Sequence, residues 1–249
     1  MKDAVLEVQE YVRLLAQVVR ATFTPPFYYR DMIQQFDQIG FGSLTVVLLA
    51  GLFTGMVLAL NSGMTLDQFG ARSMIGRLIS ASMVKELGPV LSGLMVSGRV
   101  GSGIAAELGS MLVTDQIAAL RALGTDPIRK LVVPRVLAGV LMMPILSILA
   151  TGIGMIGGWL VTVLQFHVAS TVYWTAVVQG LYVQDIWMGV IKPVFIGFTI
   201  VTIGCHVGLR TTGGTQGVGN STKLSVVAAS VGVIAVDFMV TKILIVTLY

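Results

Sequence analysis

Five apolar segments, each long enough to cross a bilayer, constrain the fold of this 249-residue chain more than any other feature. A transmembrane helix needs about 20 consecutive apolar residues. Charged residues make up 11% of the chain, against about 25% in a soluble domain, and the mean hydropathy is +0.88. The sequence therefore predicts an all-α membrane protein that forms one domain with five transmembrane helices. These helices are predicted over residues 41–60, 73–106, 131–166, 186–209 and 224–248, with a turn around Asn61, Ser62 and Gly63.

The segment before the first span, residues 4–23, has a different pattern. Its apolar residues at helical spacing are Val5, Val8, Val12, Leu15 and Val19. Charged residues lie largely on the other faces, so the segment is amphipathic but too polar to span a membrane. We expect an N-terminal helix that lies in the membrane interface. An ordinary surface helix is the alternative, but no soluble domain follows for it to pack on.

Basic residues are distributed unequally among the predicted loops. Arg121, Arg129 and Lys130 lie between the second and third spans, whereas residues 167–185 contain no Lys or Arg. Because cytoplasmic loops are enriched in these residues, the N-terminus is predicted to be cytoplasmic and the C-terminus to lie outside. The net charge of +4 is scattered through loops and forms no basic stripe with interleaved aromatics, so nucleic-acid binding is not predicted.

Small residues recur at every fourth position in the second apolar segment. They are Gly93, Ser97, Gly101, Ala105 and Gly109. Membrane helices pack without a hydrophobic driving force, and small residues let their backbones approach closely. The stripe therefore predicts that other helices pack tightly against this one.

A pair of charged residues, Lys85 and Glu86, lies within the same segment, just before Gly88 and Pro89. Ionisable groups within a span cost about 2.5–3.5 kcal/mol each and usually face a cavity or a partner. Adjacent residues on a helix point about 100° apart, so these two charges need not neutralise each other. Pro89 lacks an amide hydrogen, so the carbonyl of Lys85 loses its helical donor. The helix is predicted to break at Pro89, with Gly88 easing the bend.

Two interpretations of this charged pair stay open from the residues alone. It either faces a substrate or forms a buried ion pair that fixes helix packing, with Lys192 or Asp237 as the partner. For Arg99, about 20 Å further along the helix, snorkelling or packing is the expected role.

A short helix is predicted between the second and third spans, at residues 113–124. Ile117, Leu120 and Leu123 share one side of it, and Asp126-Pro127 is a turn signal that ends it. Such a helix either contacts a separate ATPase subunit or lies in the interface without a partner, and the spacing does not distinguish the two.

Several kinds of chemistry are not supported by the residues. His167 and His206 are the two histidines, and neither has a partner at metal-ligand spacing, so no metal site is predicted. The runs GRVGSG and TGGTQGVG follow no soluble strand, and no GxxxxGK[ST] occurs, so the chain is not expected to hydrolyse ATP. No Ser/Lys dyad or His–Glu metal set is evident, so no catalytic residue and no cofactor are predicted in this chain.

Residues 85–135 read KELGPVLSGLMVSGRVGSGIAAELGSMLVTDQIAALRALGTDPIRKLVVPR. This stretch strongly resembles the signature of MlaE-like permeases, the membrane subunits of lipid-transporting ABC systems. The later TTGGTQGVGNSTKLSVV resembles the last cytoplasmic loop of that family, and VDFMVTKIL resembles its final span. With the N-terminal helix, the resemblance covers nearly the whole chain.

The resemblance implies an assembly in a bacterial inner membrane, with the C-terminus in the periplasm. It implies a homodimer of permeases and two cytoplasmic ATPase subunits, which would bind the ATP and Mg²⁺. A small STAS-domain protein often accompanies them, and a ring of single-span MCE proteins is implied on the outer side.

The resemblance also implies roles for individual residues. The basic–acidic pair of the signature lines a lipid cavity between protomers, and this chain has Lys85 where some relatives carry Arg. The lipid-contacting positions implied in this way are Lys85, Glu86, Leu58, Leu66, Phe69 and Lys192. The segment 113–124 matches a coupling helix that docks in the ATPase, with contact positions Val113, Asp115, Gln116, Leu120, Arg121 and Gly124.

The sequence thus predicts the permease subunit of an ABC transporter that moves phospholipid, or a similar lipid, between the inner membrane and an MCE protein. Partner ATPases would drive transport through a cavity at the permease dimer interface, and Gly88 and Pro89 would form a hinge. The alternative is a membrane scaffold that transports nothing and whose intramembrane charges only fix helix packing.

Overall fold

The computed structural model describes residues 2–25 and 28–248, with side chains described for 6–25 and 28–247. Throughout these residues the secondary structure is helical and contains no strand. Five helices are long and apolar enough to cross a membrane, which confirms the all-α class predicted from sequence. In chain order, these first to fifth long helices are Tyr29–Gln68, Arg72–Val113, Ile128–Phe166, Val183–Gly208 and Gly214–Leu248.

The first long helix continues past the turn predicted at residues 61–63, so that prediction is wrong. The Ser62 hydroxyl donates to the carbonyl of Leu58 within the helix. Gly63 packs against the ring of Phe166 on the third long helix, where a Cβ would overlap the ring. The polar and small residues therefore serve helix packing, and the chain reverses only at Gly70, whose φ is +67°.

The second long helix runs to Val113, beyond the predicted end at residue 106. Val113 therefore belongs to this helix, and the predicted range 113–124 for the short helix is too wide. The short connecting helix is Gln116–Ala122. Asp115 precedes it with a φ of 57°, and Gly124 follows it with a φ of 75°. Two residues in the left-handed region thus separate the connecting helix from its neighbours.

The fifth long helix begins at Gly214, ten residues before the predicted start, so most of the predicted last loop is helical. Gly213 and Gly214 both have positive φ and make the turn from the fourth helix. Gly217 is needed for close packing, because a Cβ there would overlap the carbonyl of Thr212. A further helix, Ser170–Gln179, lies between the third and fourth long helices and was not predicted.

Small residues bring the long helices into backbone contact. The predicted stripe on the second helix is confirmed. Gly93 packs against Ile196 and Val233, and the Ser97 and Ser230 hydroxyls lie 3.0 Å apart. The fourth and fifth helices therefore cover the stripe. The first and third helices meet in the same way, at Gly51 with Ala150 and at Gly55 with Gly154.

The N-terminal helix, Lys2–Thr22, packs on the long helices through one side only. Leu14, Val18 and Ala21 are buried, and the Tyr11 hydroxyl lies 2.8 Å from the Thr202 hydroxyl of the fourth helix. Burial raises the pKa of Tyr11, which keeps the hydroxyl neutral.

The apolar stripe predicted on the N-terminal helix lies beside its packed side. Val8, Val12 and Val19 are more than half exposed, while the side chain of Val5 lies outside the described residues. An apolar stripe next to a protein contact suits a helix that lies in a membrane interface.

The contact between the first and third helices provides a test of backbone packing. We expect Gly55→Ala to destabilise the protein by about 1–3 kcal/mol, because the new Cβ would overlap the carbonyl oxygen of Gly154. Gly152→Ala is the matched control, since a Cβ at Gly152 meets nothing within 4 Å. Thermal unfolding of the purified chain in detergent measures both variants. Equal midpoints would contradict this packing.

Candidate functional site

The second long helix contains a π turn, Met83–Leu87, which ends two residues before Pro89. The helix is not broken at Pro89, contrary to the prediction, since Gly88–Val96 continues it. A π turn accommodates an extra residue within a helix, so the proline is tolerated without interrupting the chain direction. Gly88 lies against Thr151 of the third helix, and a Cβ there would overlap the threonine hydroxyl.

Because Pro89 has no amide hydrogen, the carbonyl of Lys85 cannot accept the usual α-helical bond from the residue four positions on. The ammonium group of Lys192, from the fourth helix, donates to this carbonyl at 2.7 Å. The Lys192 side chain is fully buried. A lysine from another helix thus replaces the missing backbone bond and ties the second and fourth helices together at the π turn.

Lys192 also pairs with two carboxylates. Its Nζ lies 2.7 Å from Glu86 Oε2 and 3.3 Å from Oδ1 of Asp237 on the fifth helix. The second contact is an ion pair without a hydrogen bond, because Oδ1 of Asp237 makes none. One buried ammonium therefore joins the second, fourth and fifth helices.

Lys85 turns to a different partner, as the angle between adjacent residues on a helix requires. Its Nζ lies 2.9 Å from Oδ1 of Asp185. The Asp185 side chain is fully buried and its Oδ2 accepts from the backbone amide of Tyr182 at 3.1 Å, which caps the start of the fourth helix. Of the partners considered from the sequence, Lys192 pairs with Glu86, whereas Lys85 pairs with Asp185, which was not considered.

We call these five residues the charge cluster: Lys85, Glu86, Asp185, Lys192 and Asp237. Three carboxylates face two ammonium groups, so the fully ionised cluster carries one net negative charge. The exposed fraction is 45% for the Glu86 side chain and 32% for Lys85, but zero for Lys192 and Asp185. Lys192 is thus an enclosed anchor, whereas Lys85 and Glu86 form the accessible part of the cluster.

An apolar cavity of about 300 Å³ begins one residue from the Lys85–Asp185 pair. Val84 precedes Lys85 and Ile186 follows Asp185, and both line the cavity. The remaining lining residues are Ile148, Thr151, Gly152, Met155, Gly189 and Val190. A charged pair next to an apolar space matches the two parts of an amphiphilic molecule, a polar group and a hydrocarbon chain.

The other residues implied to line a lipid cavity lie in different surroundings. Leu58 and Leu66 pack against the apolar cluster that contains Met83 and Ile79. Phe69 is exposed in the turn after the first helix. Leu58 and Leu66 thus share a packing cluster with the π turn through Met83, and Phe69 stands apart from that cluster.

The connecting helix divides its apolar residues between two sides. Ile117 is buried and Leu120 packs partly against the core. Leu123 is 80% exposed, and Gln116 and Arg121 are exposed as well. The helix is anchored by Ile117 and presents Leu123 and Arg121 outward.

Asp185 is the member of the charge cluster that the sequence analysis missed. Its signal was its place three residues after Tyr182 at the start of a span, where a carboxylate caps a helix. Among the residues that the structure describes, no group of three His, Cys, Asp or Glu side chains could hold a metal ion.

Replacement of Lys192 tests the enclosed anchor. We expect Lys192→Met to destabilise the protein by about 3–5 kcal/mol, because Glu86 and Asp237 would lose the ammonium that they share. Adding Asp237→Asn should recover part of this loss, since it removes one uncompensated charge.

Lys242→Met is the matched control, because Lys242 is exposed on the fifth helix; it should change stability by no more than about 0.5 kcal/mol. Thermal unfolding in detergent compares the variants. A Lys192→Met protein as stable as the control would refute the anchor.

The chain is similar in sequence to known membrane permeases. The family model for Permease MlaE matches residues 32–243. A probable ABC transporter permease protein of Rickettsia typhi is 40% identical over 226 residues, 91% of this chain and 87% of that protein. The intermembrane phospholipid transport system permease protein MlaE of Haemophilus influenzae is 38% identical over 214 residues, 86% of this chain and 82% of that protein.

A chloroplast relative is also similar. The protein TRIGALACTOSYLDIACYLGLYCEROL 1 of Arabidopsis thaliana is 34% identical over 92% of this chain and 65% of its own length. Because the family model covers the chain from the first long helix into the fifth, this multi-pass membrane protein is a permease subunit that belongs to the MlaE permease family.

Proposed function

We propose that this permease subunit moves phospholipid through a site formed by Lys85, Glu86 and the adjoining apolar cavity. The observation that carries the proposal is a cavity of about 300 Å³ with largely apolar walls, lined by Val84 and Ile186, the residues adjacent in sequence to Lys85 and Asp185. The side chains of Lys85 and Glu86 are themselves accessible. A phospholipid presents a charged headgroup next to hydrocarbon, so one molecule would satisfy both surfaces. The Haemophilus influenzae relative is named as a phospholipid transport permease, which supports this substrate class.

Lys85 is the group that would meet the phosphate. Its ammonium acts as a compact point charge, which suits a phosphate oxygen but does not supply the bidentate contact of an arginine. Lys192 would act indirectly, since it is enclosed and holds Glu86 at 2.7 Å. Leu58, Leu66 and Phe69 would provide apolar surface on the lipid path.

The proposed assembly is a homodimer with two cytoplasmic ATPase subunits, a ring of MCE proteins on the outer side and often a STAS-domain protein. It would reside in a bacterial inner membrane, with the N-terminus cytoplasmic and the C-terminus periplasmic, as the basic residues near the connecting helix favour. The chain holds no cofactor in this proposal, and ATP and Mg²⁺ would bind to the partner ATPases.

The exposed apolar face of the fifth helix, with Val231 and Phe238, would be covered by lipid or by the second protomer.

The second long helix would couple ATP hydrolysis to the lipid site. It joins the charge cluster to the connecting helix directly, and the 24 residues from Pro89 to Val113 span about 36 Å at 1.5 Å per residue. Closure of the ATPases would push on the connecting helix, and the second helix would move about Gly88 and Pro89. The cavity would then be exposed alternately to the membrane and to the outer side.

A membrane scaffold is the second candidate function. The enclosure of Lys192 by two carboxylates and a carbonyl favours it, because such contacts hold helices together without a ligand. The accessibility of Lys85 and Glu86 distinguishes the two functions, since a purely structural pair gains nothing from exposure.

Photo-crosslinking of a phospholipid probe to the second helix tests the lipid site. In the assembled complex, we expect the double variant Lys85→Met and Glu86→Met to lower crosslinking about tenfold, because the charge-assisted headgroup contact is lost. Gly152→Phe should have a similar effect, since it fills the cavity without changing any charge. Gly98→Phe is the matched control, because Gly98 faces open space away from this cavity. Unchanged crosslinking in both test variants would favour the scaffold.

Charge and polarity changes on the connecting helix test the ATPase contact. We expect Leu123→Glu, and Arg121→Glu independently, to reduce copurification of the ATPase and lipid-dependent ATP hydrolysis at least about tenfold, since both residues face outward. Val178→Glu is the control, because Val178 is equally exposed on the helix Ser170–Gln179. Normal ATPase binding by both test variants would show that the contact lies elsewhere.

A further inference from the structure

A second cavity, of about 370 Å³, lies between the first and second long helices. Along the second helix, the 14 residues from Lys85 to Arg99 put it about 21 Å from the charge cluster, on the side of the connecting helix. Its volume far exceeds the roughly 30 Å³ share of one water molecule. Its lining is mixed, with Gln35, Gln38, Ile39, Arg99, Val100, Gly103, Ile104 and Glu107.

Arg99 supplies a positive charge at one end of this cavity. Its Nη1 donates to the carbonyl of Gln38 at 3.2 Å and to the Ser43 hydroxyl at 3.1 Å. These two bonds hold the guanidinium against Gly42, at the end of the π turn Asp37–Phe41. No carboxylate pairs with Arg99 among the residues that the structure describes. The guanidinium is thus held in place by neutral groups and lines the cavity.

Glu107 supplies a negative charge at the other end. Its Oε2 lies 2.8 Å from Nη2 of Arg135, and the exposed fraction of the Glu107 side chain is 47% while that of Arg135 is 4%. An ionised carboxylate has about four lone-pair sites, so this single contact leaves acceptor capacity. Arg135 therefore positions a carboxylate that can still accept from a second cation.

Gly103 separates the two charges. Arg99, Gly103 and Glu107 follow each other at intervals of four residues, so the backbone positions of Arg99 and Glu107 are about 12 Å apart along the helix axis. A Cβ on Gly103 would meet nothing within 4 Å. The surface between guanidinium and carboxylate is therefore open, and Gln35, which is almost fully buried, lines it from the first helix.

We propose that this cavity binds the headgroup of an aminophospholipid, with the phosphate on Arg99 and the primary ammonium near Glu107. Two charge-assisted hydrogen bonds of about 2.8 Å each, with a phosphoethanolamine group between them, span a distance of the same order as the axial separation of Arg99 and Glu107. Arg99 offers the planar donor that phosphate prefers, and Glu107 accepts from an ammonium N–H. A headgroup without an ammonium leaves Glu107 unused, and a quaternary ammonium has no N–H to donate.

This site is separate from the transport site proposed above and does not depend on it. Ile39, Val100 and Ile104 give the cavity an apolar wall for the glycerol and the first acyl carbons. With the proposed topology, the lipid would come from the cytoplasmic leaflet.

A photoreactive amino acid in place of Gln38 tests the proposal in the full-length chain. The Gln38 side chain is exposed and lines the cavity, while its carbonyl, which Arg99 uses, remains. The protein is placed in nanodiscs with equal amounts of phosphatidylethanolamine, phosphatidylglycerol and phosphatidylcholine, and adducts are identified by mass spectrometry. We expect phosphatidylethanolamine adducts to exceed each of the others about tenfold.

Two variants show whether the cavity and its carboxylate cause this preference. Gly103→Leu fills the cavity and should lower the phosphatidylethanolamine adduct about tenfold. Gly98→Leu, on the same helix and equally open, should leave it unchanged. Glu107→Gln should bring phosphatidylethanolamine and phosphatidylglycerol to equal yields, because the ammonium loses its counter-charge and the charge-assisted hydrogen bond becomes a weaker neutral one.

The double variant Lys85→Met and Glu86→Met separates this proposal from the proposed transport function. The Gln38 adduct should persist in it, even though crosslinking at the charge cluster falls. Equal labelling by the three lipids, an adduct insensitive to Gly103→Leu, or loss of the adduct in the double variant would each overturn the proposal.

Discussion

The buried ammonium of Lys192 is the interaction on which the arrangement of the helices depends. Pro89 leaves the Lys85 carbonyl without a helical donor, and a carbonyl unsatisfied within a membrane costs several kcal/mol. Lys192 satisfies it from the fourth helix and then requires counter-charges itself, which Glu86 and Asp237 provide. One backbone defect thus explains why three helices meet at this depth, and why a lysine is tolerated with no exposure to solvent.

Close backbone packing makes such contacts achievable. Lys192 can reach the second helix only if the helices approach closely, and Gly93, Gly101 and Gly109 let the second helix approach its neighbours. On the other side, Gly55 meets Gly154 with no side chain between them. Because lipid offers no hydrophobic drive for helix association, these small residues and the polar contacts together hold the bundle. The two charged regions are therefore supported by close helix packing, and within them the side chains of Lys85, Glu86, Arg99 and Glu107 reach accessible space.

The fold class, the number of long helices and the small-residue stripe were all predictable, because each depends on the local composition of the sequence and on the regular spacing of apolar or small residues along it. Prediction failed where tertiary packing overrides local signals. Residues 61–63 look like a turn, but Ser62 bonds within the helix and Gly63 receives the Phe166 ring. The glycines after Gly214 look like a loop, yet Gly217 is helical because it packs on Thr212. In both places the missing side chain of the glycine lets another part of the chain pack closely against the helix. The few residues around the glycine in the sequence do not show that this contact exists.

Residue chemistry and helix geometry suffice to predict, from the sequence, five helices long and apolar enough to span a membrane, a high energetic cost for Lys85 and Glu86, and one carbonyl that loses its usual donor to Pro89. The groups that pair with these charges and with this carbonyl can be identified only in the folded protein. Asp185, Lys192 and Asp237 follow Lys85 by 100, 107 and 152 residues. The π turn directs Lys85 and Glu86 to different partners. Pairing across helices depends on their relative depth and rotation, which packing sets and the linear order of residues does not.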